Sequence, residues 1–149
     1  HQFRRQEGRA LESDLRLRVA NILLLLSEVT PYEQDRFKRM RERMRNNMEE
    51  VFGKDNLDTN RFEQEILYYL EKMDVTEEKV RLEQHCKYFL EQVENPKQSA
   101  GRSLGFISQE IGREINTLGA KAYDADIQKL VVQMKDELEK IKEQLANVL

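Results

Sequence analysis

The chain has 149 residues, 36% charged and 39% hydrophobic, with no tryptophan, two prolines and a formal net charge of −3. That balance suits long amphipathic helices in one compact domain and excludes both a disordered chain and a wholly basic nucleic-acid binder. Its densest apolar run, Ile22 to Leu26, is far too short to span a membrane, and the single cysteine, Cys86, excludes an internal disulfide and fits a reducing cytoplasm. The chain opens on His1 with no signal peptide in view, and is read as a piece of a longer protein.

In chain order, the first expected helix runs from about Phe3 to Glu28, with Leu11, Leu15, Val19, Ile22, Leu26 and Val29 in one stripe at spacings of three and four. Thr30-Pro31-Tyr32-Glu33 predicts the start of a second, with Thr30 as cap, Pro31 in the first turn and Glu33 closing a capping box. Its stripe is Phe37, Met40, Met44, Met48 and Val51, and Gly53 ends it. Asp58 is the expected cap of a third helix, with Phe62, Ile66, Tyr69, Leu70 and Met73 inward. Thr76 is the expected cap of a fourth, with Leu82, Cys86, Phe89, Leu90 and Val93 inward, ending at Asn95-Pro96. Residues 95–101 read as a linker. The last helix, from about Asp124 to Val148, carries Ile127, Val131, Met134, Leu138, Ile141, Leu145 and Val148 as a heptad seam, which requires a partner helix inside the chain or in a second subunit. The expected fold is all-α: an elongated antiparallel helical bundle with a coiled-coil-like C-terminal helix, one helical region over 1–149, in which 1–53 form a long helical hairpin and 58–149 the core helices.

Between linker and last helix lies GRSLGFISQEIGREINTLGAKA, residues 101–122, with four of the six glycines. On a helical wheel Leu104, Ile107, Ile111, Ile115, Leu118 and Ala122 form an apolar stripe. Gly105, Ser108, Gly112, Asn116 and Gly119 form a stripe of small or compact residues beside it, and Gln109, Glu110, Arg113, Glu114, Thr117 and Lys121 a polar one. Each glycine costs a helix roughly 1 kcal/mol against alanine, so something comes close on that side: a neighbouring helix or a nucleic-acid backbone. Glu110 and Glu114, four apart, present both carboxylates on one face, able to hold a divalent cation or to form surface salt bridges. On the fourth helix Glu78, Arg81 and His85 share a side, and His85 is able to ligate a metal, move a proton or simply hydrogen-bond at an edge. Residues 36–45, RFKRMRERMR, hold six basic residues and one acid, a pattern for a polyanion or for a solvated helix face; Arg39, Arg41 and Arg43 are its candidate polyanion contacts.

Several blocks of the sequence resemble the C-terminal half of the bacterial YicC-like family. Arg5, Glu7, Gly8 and Leu11 look like its first helix. RFEQEILYYLEKMDVTEEKVRLEQH is similar to its second block, with Arg61, Gln64, Glu65, Asp74, Val75, Glu77, Glu78, Arg81, Leu82 and His85 matching. In 101–122, Gly101, Arg102, Leu104, Phe106, Gln109, Glu110, Arg113, Glu114, Asn116, Thr117 and Lys121 match, and Lys135, Glu139, Glu143, Gln144 and Asn147 match near the end. The chain departs from the family at Gly105 and Gly112, where Asp and Asn are common.

The resemblance implies a cytoplasmic, divalent-metal-dependent endoribonuclease that acts as a homo-oligomer on RNA. In that reading Glu110, Glu114 and His85 ligate Mn²⁺ or Mg²⁺, His85 doubles as a base and Glu78 is a supporting acid. Arg102, Arg113, Arg81 and Lys121 hold phosphates, and Gln109, Asn116 and Thr117 touch sugar or base edges. The alternative is a non-catalytic oligomerisation and RNA-clamp module assisting other ribonucleases, in which Glu110 and Glu114 are already paired with Arg102, Arg113 or Arg81.

Overall fold

The computed structural model describes residues 2–95, 100–122 and 124–148. Among them there is no strand, and six long helices account for the fold: α1 (Gln2–Ser27), α2 (Val29–Phe52), α3 (Thr59–Met73), α4 (Thr76–Glu94), α5 (Ala100–Lys121) and α6 (Ala125–Val148). The linker residues 96–99, including Pro96, lie outside the described residues, as does the side chain of Val148.

Helices α1, α4, α5 and α6 close into an antiparallel four-helix bundle, each packed on two neighbours in the order α1, α4, α5, α6. Polar contacts fix the directions. Arg16 reaches Glu94 while Lys79 reaches Thr30, so α1 and α4 run opposite ways. Arg18 and Asn21 meet Glu137 while Arg39, further along, meets Asp124, so α6 runs against α1. The apolar stripes of all four helices meet in one core. Val19, Ile22, Leu82, Phe89, Ile111, Ile115, Leu118, Ile127, Met134 and Ile141 are fully buried there. The heptad seam of α6 thus finds its partners inside the chain, in α1 and α5.

Residues 1–53 do not form a hairpin. A reversal would set Arg18 beside Arg39, yet these meet α6 at Glu137 and Asp124, about 20 Å apart along a helix. Glu28 keeps a helical backbone (φ −81°, ψ −13°), so α2 carries on from α1 across a bend. Pro31 accounts for the break, since it has no N–H for the Ser27 carbonyl four residues back. The expected capping box is also absent: α2 begins at Val29, Thr30 Oγ1 accepts a bond from Lys79, and Glu33 pairs with Lys79 at 2.6 Å. The linkage holds α4 to the bend instead of terminating α2.

Beyond the bend, α2 leaves the bundle and packs with α3 as an arm over a small second core, Met40, Phe62 and Ile66, flanked by Phe37, Met44, Met48 and Met73. Val51, Tyr69 and Leu70, expected inward, are exposed, because two helices alone bury only a narrow strip of each other. Gly53 stops α2 with φ +81° and its N–H on the Glu49 carbonyl, and Asp58 caps α3 by accepting from the Arg61 N–H at 3.2 Å. At α4 the capping acceptor is Asp74 rather than Thr76: its Oδ1 takes both the backbone N–H (3.0 Å) and the hydroxyl (2.5 Å) of Thr76. These two bonds pull the Asp74 carboxyl below its ordinary value.

The glycines of α5 divide. A Cβ at Gly112 would stand 3.1 Å from Leu138 Cδ2, and one at Gly119 3.1 Å from Val131 Cγ1, so both permit α6 to lie close. Nothing lies within 4 Å of such a Cβ at Gly105. The close neighbour is therefore a helix. At the α5–α6 turn, Gln128 Nε2 donates to the carbonyls of Gly119 and Ala122, both at 2.6 Å, satisfying the end of α5.

Candidate functional site: the α4–α5 face

Residues 78, 81 and 85 recur at three- and four-residue steps on α4, and 110, 114, 117 and 121 do so on α5, so each set forms one row. Because the helices run antiparallel, the rows meet in reverse order. Glu78 faces Lys121, with Oε1 and Nζ 2.7 Å apart; Arg81 faces Glu114, at 3.9 Å; and His85 faces Glu110 and Glu114. One ligand atom from each of His85, Glu110 and Glu114 lies within 4.8 Å of the other two.

The three differ in exposure. Glu114 is buried at 5% exposure, His85 is half-buried, and Glu110 stands in solvent, so the cluster has a fixed base and an open mouth. Its charge is poorly balanced. Among the described residues Glu110 has no ion-pair partner, and the one cation near Glu114 is Arg81, whose closer partner is Glu77. Two carboxylates drawn together with so little compensation favour a cation between them. One imidazole nitrogen and two carboxylate oxygens fit Mn²⁺ better than Mg²⁺, which prefers oxygen throughout. The donor set therefore fits such an ion.

The other candidates are placed as follows. Glu78, only 3% exposed, stands two turns or about 10 Å from His85 along α4, and its carboxylate orients Lys121, so it is not a supporting acid for His85. Its second oxygen has no partner. Arg113, Gln109 and Asn116 are exposed on α5, Asn116 toward the Gly112 side and away from the cluster, Arg102 is exposed toward the start of α5, and the Thr117 hydroxyl is turned to the Arg113 carbonyl at 2.9 Å. The basic run of α2 splits by face. Arg41 bonds Glu63 at 2.7 Å and covers the Phe62 ring, latching α3; Arg39 is shared between Asp35 and Asp124; Arg43 carries no acid partner among the described residues. Phe106, one turn before Glu110 and 64% exposed, was given no role from sequence; an aromatic off the apolar stripe of α5 was the available signal.

Bundle and cluster together define, among the described residues, an all-helical protein with a His–Glu–Glu cluster on a polar face between two antiparallel helices. The chain belongs to the family described as endoribonuclease YicC-like, C-terminal, which matches residues 29–149. It is similar to the probable endoribonuclease YicC of Clostridioides difficile (strain 630), at 34% identity over 99% of this chain and 50% of the relative. It is likewise similar to the probable endoribonuclease YicC of Haemophilus influenzae (strain Rd), at 32% identity over 98% of this chain and 50% of the relative. The chain thus spans about half the length of these relatives. Helix α1 precedes the family match, yet it supplies one wall of the bundle.

Proposed function

We propose that this chain is the RNA-cleaving part of an endoribonuclease and that His85, Glu110 and Glu114 hold a divalent cation, Mn²⁺ before Mg²⁺. The observation that carries the reading is their convergence, within 4.8 Å, on a face open to solvent. Such a cation supplies positive charge for a phosphate oxygen and acidifies water.

The chain's own residues do the remaining work. Glu114 is held at the base of the cluster by burial, while Glu110, at its mouth, is free to take a proton at a carboxylate oxygen. With one His85 ring nitrogen given to the ion, the other would carry N–H and donate a hydrogen bond that holds the ring in place. Arg81 and Arg113 flank the cluster and bind phosphate as fixed charges. Phe106 offers a face on which an unpaired base stacks, which suits single-stranded RNA. The names of the two relatives, both probable endoribonucleases, support an RNA substrate.

A cytoplasmic location belongs to the same proposal; among the described residues no helix is long and apolar enough to cross a membrane. Homo-oligomer formation is part of the same proposal, supported by Leu67, Tyr68 and Leu70 exposed on α3.

The test is Glu110→Gln and Glu114→Gln in the intact protein, each checked for helicity and then assayed for RNA cleavage with Mn²⁺ and with a chelator. Cleavage falling at least a hundredfold while helicity is kept supports the assignment; unchanged cleavage removes both residues from the reaction.

A further inference from the structure

A cleft of about 840 Å³ opens between the arm and the end of the bundle, where α2 and α3 face the end of α5 and the start of α6. Its volume is that of a site for a small organic ligand, about 300–1,000 Å³. One wall is apolar, with Met40, Met44, Met73 and Tyr69. The rim is basic, with Arg36, Arg39, Arg43, Lys72 and Lys121 against the single acid Asp124.

That acid is already engaged. Asp124 Oδ2 pairs with Arg39 at 3.0 Å, and Oδ1 accepts the N–H groups of Asp126 and Ile127 at the start of α6. Lys121 is engaged with Glu78. Among the described residues, three rim cations are left without a carboxylate: Arg43, Lys72, which lies over the Tyr68 ring, and Arg36, which meets only the Lys121 carbonyl at 3.5 Å. Burial strips water from Arg36 and lowers its pKa, with Asp124 and Glu33 opposing the shift from beyond ion-pair distance, and an anion in the cleft would offset the remaining cost.

Cations on a rim beside an aromatic and methionine wall match a nucleotide, with anionic phosphates on one side of an apolar base. We infer that the cleft is a docking subsite for one nucleotide of single-stranded RNA, its phosphates on Arg36, Arg43 and Lys72 and its base against Tyr69, Met40 and Met44. The polymer rather than a free nucleotide is the ligand because the cleft leads to the His85–Glu110–Glu114 face. Lys121 lines the cleft, and Glu114 lies two turns back along α5, about 10 Å away. A strand seated in the cleft is held in register with the cluster. This rests on the RNA reading above for its ligand, but not on cleavage.

The experiment measures binding of a short labelled oligouridylate by fluorescence anisotropy over a salt series, without divalent cation. Arg43, Lys72 and Tyr69 are exposed, so Arg43→Ala, Lys72→Ala and Tyr69→Ala should fold, checked by circular dichroism, with Lys142→Ala on α6 as a control. Arg43→Ala and Lys72→Ala should each weaken binding several-fold and lower the salt slope by about 0.7. Tyr69→Ala should weaken it roughly fivefold or more with the slope kept. Parental affinity and slope in all three overturn the subsite, even if Glu110→Gln abolishes cleavage. Loss of affinity in the three stands even if the parent cleaves nothing. Uridine monophosphate competing as tightly as the oligomer overturns the polymer as ligand. Variants that bind RNA normally but sediment differently mark the cleft as a contact between copies, which also overturns it.

Discussion

Gly119 and Gly105 sit on the same helix under different constraints. At Gly119 an added methyl meets Val131 Cγ1 at 3.1 Å, on a β-branched side chain with little rotamer freedom, itself 1% exposed. At Gly105 the methyl meets nothing, and alanine also narrows the unfolded ensemble. Urea unfolding should therefore show Gly105→Ala stabilised by up to about 1 kcal/mol and Gly119→Ala destabilised by about 1–3 kcal/mol. Gly112, facing the movable end of Leu138, should fall between them. Cys86 belongs to the same inventory of packing residues: fully buried, with its thiol pushed up to about 12 by desolvation, it is a core residue and not a nucleophile.

Among the elements, α3 is the least secured. It rests on α2 through Met40, Phe62 and Ile66 and through the Arg41–Glu63 pair, whereas α5 is buried between α4 and α6. An arm with so small a core should open without unfolding the bundle. Native-state hydrogen exchange should find the amides of 62–73 exchanging well before those of 107–118, and Asp58→Ala, which loses the cap, should speed α3 alone by a factor of about 2–30. Equal protection of α3 and α5 would show the molecule to be a single cooperative unit. The bend at Glu28 matters here, because it directs α2 past the end of the bundle and brings Arg36 to the end of α5 and Arg39 to the start of α6.

For the whole molecule, a ligand that binds only the folded state adds to its stability. On the proposed reading an ion held jointly by α4 and α5 would clamp the bundle, so Mn²⁺ at about a hundredfold its Kd should add about 2.7 kcal/mol, near 5–10 °C in melting temperature at this size. Glu114→Gln should abolish the shift. A parent protein that melts at one temperature with Mn²⁺ or with chelator would remove the ion from the site irrespective of any activity.

Much of this was legible in the residues. The apolar stripes of α1, α4, α5 and α6 are the buried ones, because a helix repeats every 3.6 residues and the pattern is written locally. Leu130 is buried beside the α6 seam and was not anticipated; a helix gripped by α1 and α5 at once buries more than an a/d line. Local chemistry misled at Thr30 and Thr76. Each looks like a cap on its own, but one is taken by Lys79 and the other by Asp74.

By itself the sequence determined that the chain is helical, where most helices stop, which face of each is apolar, and that Glu110 and Glu114 share a side. The tertiary structure alone decided that α2 runs on rather than back, that Glu78 pairs with Lys121 two turns from His85, and that three cations without a carboxylate partner among the described residues line one cleft. The division has a physical cause. Helix periodicity is a property of neighbours a few residues apart, whereas the pairing of Glu78 with Lys121 depends on the register of one helix against another. That register is set by interdigitated side chains such as Val131 against Gly119, which no single helix contains.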